Sequence, residues 1–203
     1  MVCVALLLLG AWYLIPRAER PATARTGVLV ADFEGQAKDS TDGELVAHVL
    51  RMELARSPRL SVVSGQRIEE ALRRMRRDPS LQLNAALARE VALREAVKVL
   101  VVGDVRVAGT GVVLSASVID PESGEITYGA SETARDSAEL LPAIERLSHS
   151  IRERTGESLA SIQAGDSLWS FTTSSLRALR KHMAGTRALQ RGESVQVAAE
   201  RMP

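Results

Sequence analysis

The hydrophobic pattern of this chain changes period along its length, and each change marks an element. From residue 97 to 133 it reads V-K-V-L-V-V-G-D-V-R-V-A, G-T-G, V-V-L-S-A-S-V-I-D, P-E-S-G and E-I-T-Y-G-A-S-E-T. β-branched residues and alternation predict three strands, and Gly and Pro predict two short turns between them. This antiparallel meander is the expected centre of a sheet. Upstream, residues 27–33 (G-V-L-V-A-D-F) form a continuous apolar run, as suits a strand covered on both faces. Residues 60–64 (L-S-V-V-S) predict a second short strand. Between these two the period becomes helical. Leu45, Val46, Val49, Leu50, Met52 and Leu54 share one broad face. Thr41 followed by Glu44 is a capping box that starts this helix at Asp42, and Pro58 ends it. Strand, helix, strand in that order implies a parallel pair joined by a right-handed crossover.

The same reading gives a helix over 65–77 on Ile68, Leu72 and Met75, with Glu69–Arg73 and Glu70–Arg74 as i,i+4 pairs. Asp78-Pro79 breaks the chain, and Leu83, Leu87 and Val91 support a third helix up to Ala96. After the meander, Asp136 with Glu139 repeats the capping box. The helix that follows buries Leu140, Leu141, Ile144, Leu147 and Ile151, carries Pro142 in its first turn and stops near Gly156. The expected fold class is α/β (α+β), with a five-stranded mixed sheet, a three-strand antiparallel meander and helices packed on it, over 27–163.

The ends have a different character. Residues 2–15 hold no charge, Trp12 and Tyr13 fall where an interface belt would be, and Pro16 closes the run. A full span needs about 20 apolar residues. Residues 1–16 are therefore expected to be a truncated transmembrane helix, with a buried amino-terminal helix or an atypical signal peptide as the other readings. Residues 17–26, with Arg17, Arg20 and Arg25, form a juxtamembrane linker. Residues 164–175 are a second linker carrying Trp169 and Phe171. From 176 on, helical periodicity with Gly185, Gly192 and Ala198 looks like the start of a tetratricopeptide-like repeat. One such unit cannot bury its own apolar face.

Composition narrows the function more by exclusion than by indication. Hydrophobic residues make up 45% but aromatic ones only 3%, so the core is aliphatic. The charge is balanced, +1 from 26 basic and 25 acidic residues, and calls for no nucleic acid. A single cysteine, Cys3, excludes an intrachain disulfide and a cysteine metal cluster. His48, His149 and His182 lack metal-ligand spacing. Gly109-Thr110-Gly111 sits between strands and reads as a turn, not a dinucleotide fingerprint. Asp32-Phe33-Glu34-Gly35 is interrupted as a kinase motif and reads as a strand end. Asp120 and Glu125 flank a turn and are expected to cap it. Arg73, Arg74, Arg76 and Arg77 read as a solvated helix end. No catalytic, cofactor or metal residue is expected, and no binding surface stands out.

The order of elements over 27–163 resembles the TolB amino-terminal-like domain. V-L-V-A-D-F (28–33), L-S-V-V-S (60–64), V-L-V-V-G-D-V (99–105) and S-V-I-D-P-E-S-G-E-I (117–126) carry the resemblance. FlgO, CsgG and LpoB-type envelope proteins share the pattern more loosely. The run T-T-S-S-L-R-A-L-R (172–180), leading into a repeat-like helix, looks like the extracytoplasmic region of bacterial membrane-anchored serine/threonine protein kinases with tetratricopeptide repeats. The resemblance implies a non-catalytic sensor or protein-binding module with protein partners, held at the bacterial inner membrane by a single pass through residues 1–16 and lying outside the cytoplasm. The alternative it implies is an envelope assembly or structural protein of the FlgO or LpoB kind.

Overall fold

The computed structural model describes residues 25–35 and 41–163. In chain order its elements are β1 (Thr26–Val30), β2 (Glu34–Gly35), α1 (Thr41–Ala55), β3 (Leu60–Val62), α2 (Gly65–Arg74), α3 (Ala85–Arg94), β4 (Val99–Ala108), β5 (Gly111–Ile119), β6 (Ile126–Ala134), α4 (Leu140–Arg154) and α5 (Leu159–Gln163). The strands form one mixed sheet in the order β3-β1-β4-β5-β6, with β2 added along β4. β1 runs parallel to both β3 and β4, and β4, β5 and β6 form the expected antiparallel meander.

Among the described residues the sheet has six strands, not five. β2 accounts for the difference. Val30 pairs with Val101, and the next pair along β4 is Glu34 with Asp104. That is four residues on one chain against three on the other, so one extra residue is accommodated between β1 and β2, as in a β-bulge. The apolar run 27–33 hides this break, because Ala31 and Phe33 are buried like the strand before them.

Side chains of β1 alternate between two cores. Val28, Val30 and Phe33 join Leu45, Val49, Leu50 and Leu54 of α1 and Ile144, Leu147 and Ile151 of α4 on one face. Leu29 and Ala31 join Ile68 and Leu72 of α2 and Val91 and Ala92 of α3 on the other. The connection order explains the two layers. The chain steps from β1 outward to β3 through α1, then back past β1 to β4 through α2 and α3. Crossovers of one hand travelling in opposite directions lay their helices on opposite faces. β1 and β4 are thus covered on both faces, as the continuous apolar runs require.

Three helices end alike. Arg77 N–H donates to Leu72 O, Val97 N–H to Ala92 O and Glu157 N–H to Arg152 O, each over 2.9–3.1 Å. The residues before these donors, Arg76, Ala96 and Gly156, have φ of 56, 51 and 87°. These are Schellman ends. Because Arg76 and Ala96 take a conformation that favours glycine, the sequence reading extends α2 to 77 and α3 to 96, beyond their observed last turns. At the start of α4 the capping box is displaced. Asp136 accepts from the N–H groups of Ala138 and Glu139, while the Glu139 carboxylate accepts from Arg135 N–H. The helix begins only at Leu140, and Pro142 lies in its first turn as expected.

Among the described residues no helix is long and apolar enough to cross a membrane. The anchor expected at 1–16, most of the linker 17–26, the linker 164–175 and the repeat-like segment 176–203 lie outside the described residues.

Candidate functional site

Among the described residues, buried and half-buried polar groups gather at three places. At the carboxyl end of β1, Arg51 of α1 donates to Val30 O and to the Asp32 carboxylate, at 2.8 and 2.9 Å from the same nitrogen. The other Asp32 oxygen accepts from Leu83 N–H at 2.8 Å, and Asp32 N–H donates to Leu83 O. Asp32 therefore ties β1 to α1 and to the entry of α3. At the far end of α4, Arg152 makes two hydrogen bonds to Glu157, at 3.0 and 2.6 Å. Ser57 and Ser161 also donate to that carboxylate. The Arg152 bonds, joined by those of the serines, hold Glu157 well below the usual carboxylate range, at about 2, although burial opposes the shift. Each of these clusters fastens neighbouring elements together.

The third place lies between α1 and α4. Glu53 is fully buried, and burial pushes its carboxyl above the ordinary value. Its Oε2 accepts from Arg56 at 3.0 Å, which opposes the shift, as does His149; Glu145 adds to it. Oε1 has no hydrogen-bond partner among the described residues. Glu53 was legible in principle, since it lies four residues after Val49 and three after Leu50, on the apolar face of α1. Arg152 follows Ile151 and Ser148 on the buried face of α4 in the same way.

The residues singled out from sequence do not converge. His48 lies in α1 and His149 in α4, and His182 is outside the described residues. No group of three or more His, Cys, Asp and Glu among the described residues could hold a metal ion. Gly109-Thr110 is a two-residue hairpin turn, with φ of 62° at Gly109, the positive value such hairpins ask of that position. Asp120 caps its turn through Glu122 N–H, whereas Glu125 contributes its backbone oxygen to Asp120 N–H. Phe33 of the interrupted kinase-like tetrapeptide is a core residue. In the basic cluster, Arg74 joins Arg67 on Glu95, Arg73 pairs with Glu69 and Arg77 with Glu90.

One surface has no helical cover among the described residues. The face of the sheet that α2 and α3 occupy over β1 and β4 continues across β5 and β6 as Val113, Ser115 and Ser117 beside Thr127, Gly129, Ser131 and Thr133. All four of these β6 residues are exposed, while Val113, Ser115 and Ser117 are half-buried. The opposite face of β5 carries Leu114, Ala116 and Val118 and is buried under the core that includes α4. On β5 and β6 the open face is uncharged and rich in hydroxyls, and it is bordered on β4 by exposed Arg106 and its ion-pair partner Asp104. Alternation already encodes it: S-A-S in β5 and T-Y-G-A-S-E-T in β6 place small polar residues at every second position.

No protein-family model and no curated protein matches the chain. Among solved structures it is similar to the LpoB C-terminal domain from Escherichia coli, at 17% identity and a TM-score of 0.48, over 56% of this chain and 85% of that one. It is similar to lipoprotein GNA1162 from Neisseria meningitidis, at 17% identity and a TM-score of 0.46, over 66% of this chain and 99% of that one. It is also similar to TolB from Acinetobacter baumannii, at 12% identity and a TM-score of 0.45, over 65% of this chain and 28% of that one.

Proposed function

We propose that residues 27–163 form a non-catalytic protein-binding module of the bacterial envelope, of the assembly or structural kind. The observation that carries this reading is the hydroxyl-rich face of β5 and β6, which carries no charge on these two strands and is uncovered among the described residues, opposite a face on which β5 is buried and β6 half-buried. A rigid sheet with short side chains and few ordering costs suits recognition of another folded surface. The buried charged groups are used internally, which leaves the open face as the surface for company. The sequence resemblance to envelope proteins agrees with this reading. The narrower role of a kinase sensor rests on 1–16 and 172–203, outside the described residues.

The test is site-specific photocrosslinking in the full-length chain inside bacterial cells. A photoreactive residue replacing Ser115 or Ser117 should give discrete heavier adducts. The same residue replacing Arg73, exposed on α2, should not. Equal adducts from all positions, or none from the two serines, would remove the proposal.

A further inference from the structure

Glu53 is buried where a carboxylate has little support. It lies in the last turn of α1, which ends at Ala55, and none of its surface reaches solvent. Arg56 donates to Oε2 at 3.0 Å, and Oε1 has no hydrogen-bond partner among the described residues. An ionised carboxylate has room for about four hydrogen bonds, so this one is undersupplied. The strands beneath α1 face the core with Val28, Val30, Leu60 and Val101, which offer a carboxylate nothing.

α4 completes the surroundings. Glu145 and His149, one helical turn apart and both half-buried, act on the Glu53 carboxyl in opposite senses. Glu145 disfavours its charge, and His149 favours it while the imidazole is protonated. Ser148 shares their face of the helix and is fully buried. Its Oγ also has no hydrogen-bond partner among the described residues. Arg152, on the next turn, is taken up by Glu157. The packing of α1 and α4 thus holds one unsatisfied polar atom from each helix. Partly satisfied polar groups are the weak points of an otherwise apolar contact.

The charge at this place changes sign with pH. With Glu53 protonated, Arg56 and a protonated His149 outweigh Glu145. With Glu53 ionised and His149 neutral, two carboxylates share Arg56. Rising pH therefore brings negative charge into a site with little to stabilise it. We propose that Glu53 makes the α1–α4 contact a pH-sensitive joint, closed while its carboxyl carries a proton and opened at the last turns of both helices when it ionises. The opening is local, because helix ends open at lower free energy than paired central strands such as β4, which lies between β1 and β5. The same turns lead into Ser57 and Glu157, and Ser161 of α5 donates to Glu157, so the joint governs how firmly α5 is held. Burial makes the folded chain hold the Glu53 proton more tightly. The closing contribution is complete below about pH 4.5 and is lost as the pH rises through the folded value.

Hydrogen exchange of the full chain in a mild detergent tests this, read by mass spectrometry between about pH 4.5 and pH 8 and corrected for the intrinsic rate at each pH. In the wild type, peptides covering the last turns of α1 and α4 should lose protection by about tenfold or more across this range, relative to β4 and β5. Glu53→Gln should keep its acid-side protection throughout. Glu145→Gln removes the like charge facing Glu53 and should make the loss smaller; this variant carries the test if Glu53→Gln does not fold. Helix protection that stays constant with pH, or that falls equally in the strands, would overturn the proposal. So would a loss that persists undiminished in Glu53→Gln, or in Glu145→Gln where that variant carries the test.

Discussion

Gly103 and Gly129 are both strand glycines, and their surroundings separate them. A Cβ on Gly103 would lie 2.3 Å from the Phe33 ring and 2.4 Å from Ser115 O, so Phe33 occupies the space a side chain would need. Gly103→Ala should cost about 3 kcal/mol or more through overpacking, whereas Gly129→Ala should stay within about 0.5 kcal/mol; paired thermal melts read the difference. The two unusual carboxylates predict opposite pH slopes. Glu157 is held at about 2, against an ordinary 4.5, by Arg152 and two serines. A depressed pKa contributes stability above the unfolded value, on the order of 3 kcal/mol, and that contribution is lost as the pH falls from 4.5 towards 2. Glu157→Gln should flatten the acid limb of a stability profile and, by leaving buried Arg152 unpaired, cost roughly 3–5 kcal/mol at neutral pH. Glu53 is raised by burial, so the folded state holds its proton more tightly, and its effect on stability worsens as the pH rises through its folded pKa. Glu53→Gln should therefore make the chain more stable at pH 7 than the wild type, with a flatter slope above pH 4.5 in the same denaturant series.

At the scale of elements, the meander and the parallel core differ in what they tolerate. Val101 lies on β4 between β1 and β5, fully buried in the core shared with α1 and α4. Val101→Asp would place an unpaired charge there and should cost several kcal/mol. Thr110→Ala, at the exposed second position of the β4–β5 hairpin, should remain within about 0.5 kcal/mol. Equal shifts in urea midpoint for the two variants would contradict this arrangement of strands. The bulge between β1 and β2 belongs to this scale as well. It lets Asp32 turn towards Arg51 and Leu83 while Phe33 returns to the core over Gly103.

For the whole molecule, the polar link between the end of α4 and the β3 side of the sheet is a hydrogen bond from a serine to a buried, ion-paired carboxylate. Glu157 lies past the Schellman turn of α4, yet it is buried on Arg152 and holds Ser57, which precedes β3. Ile162 of α5 is also buried. A chain ending at Gln163 keeps all these groups, and one ending at Thr155 loses the carboxylate while keeping buried Arg152. The second truncation should melt well below the first, by an amount comparable to Glu157→Gln plus the loss of Ile162. If the two melt together, Glu157 does not fasten the molecule as its contacts indicate.

The period of the hydrophobic pattern was enough to set the meander, the parallel strands and the apolar faces of α1 and α4, because each depends on residues close in sequence. Glycine, proline and the Asp120 turn were legible for the same reason. What tertiary structure alone decided depends on distant neighbours. The break after Val30 arises because β4 offers three residues where β1 and β2 need four. The left-handed Arg76 and Ala96 are set by helix ends that dock Arg77 and Val97 back onto the preceding turn. The difference between Gly103 and Gly129 was hidden altogether, since a strand glycine reads the same whether a ring, as at Gly103, or open space, as at Gly129, lies above it. Only the packed sheet shows, among the described residues, which strand lies outermost and which face lacks a helix, because those are properties of what the other elements cover.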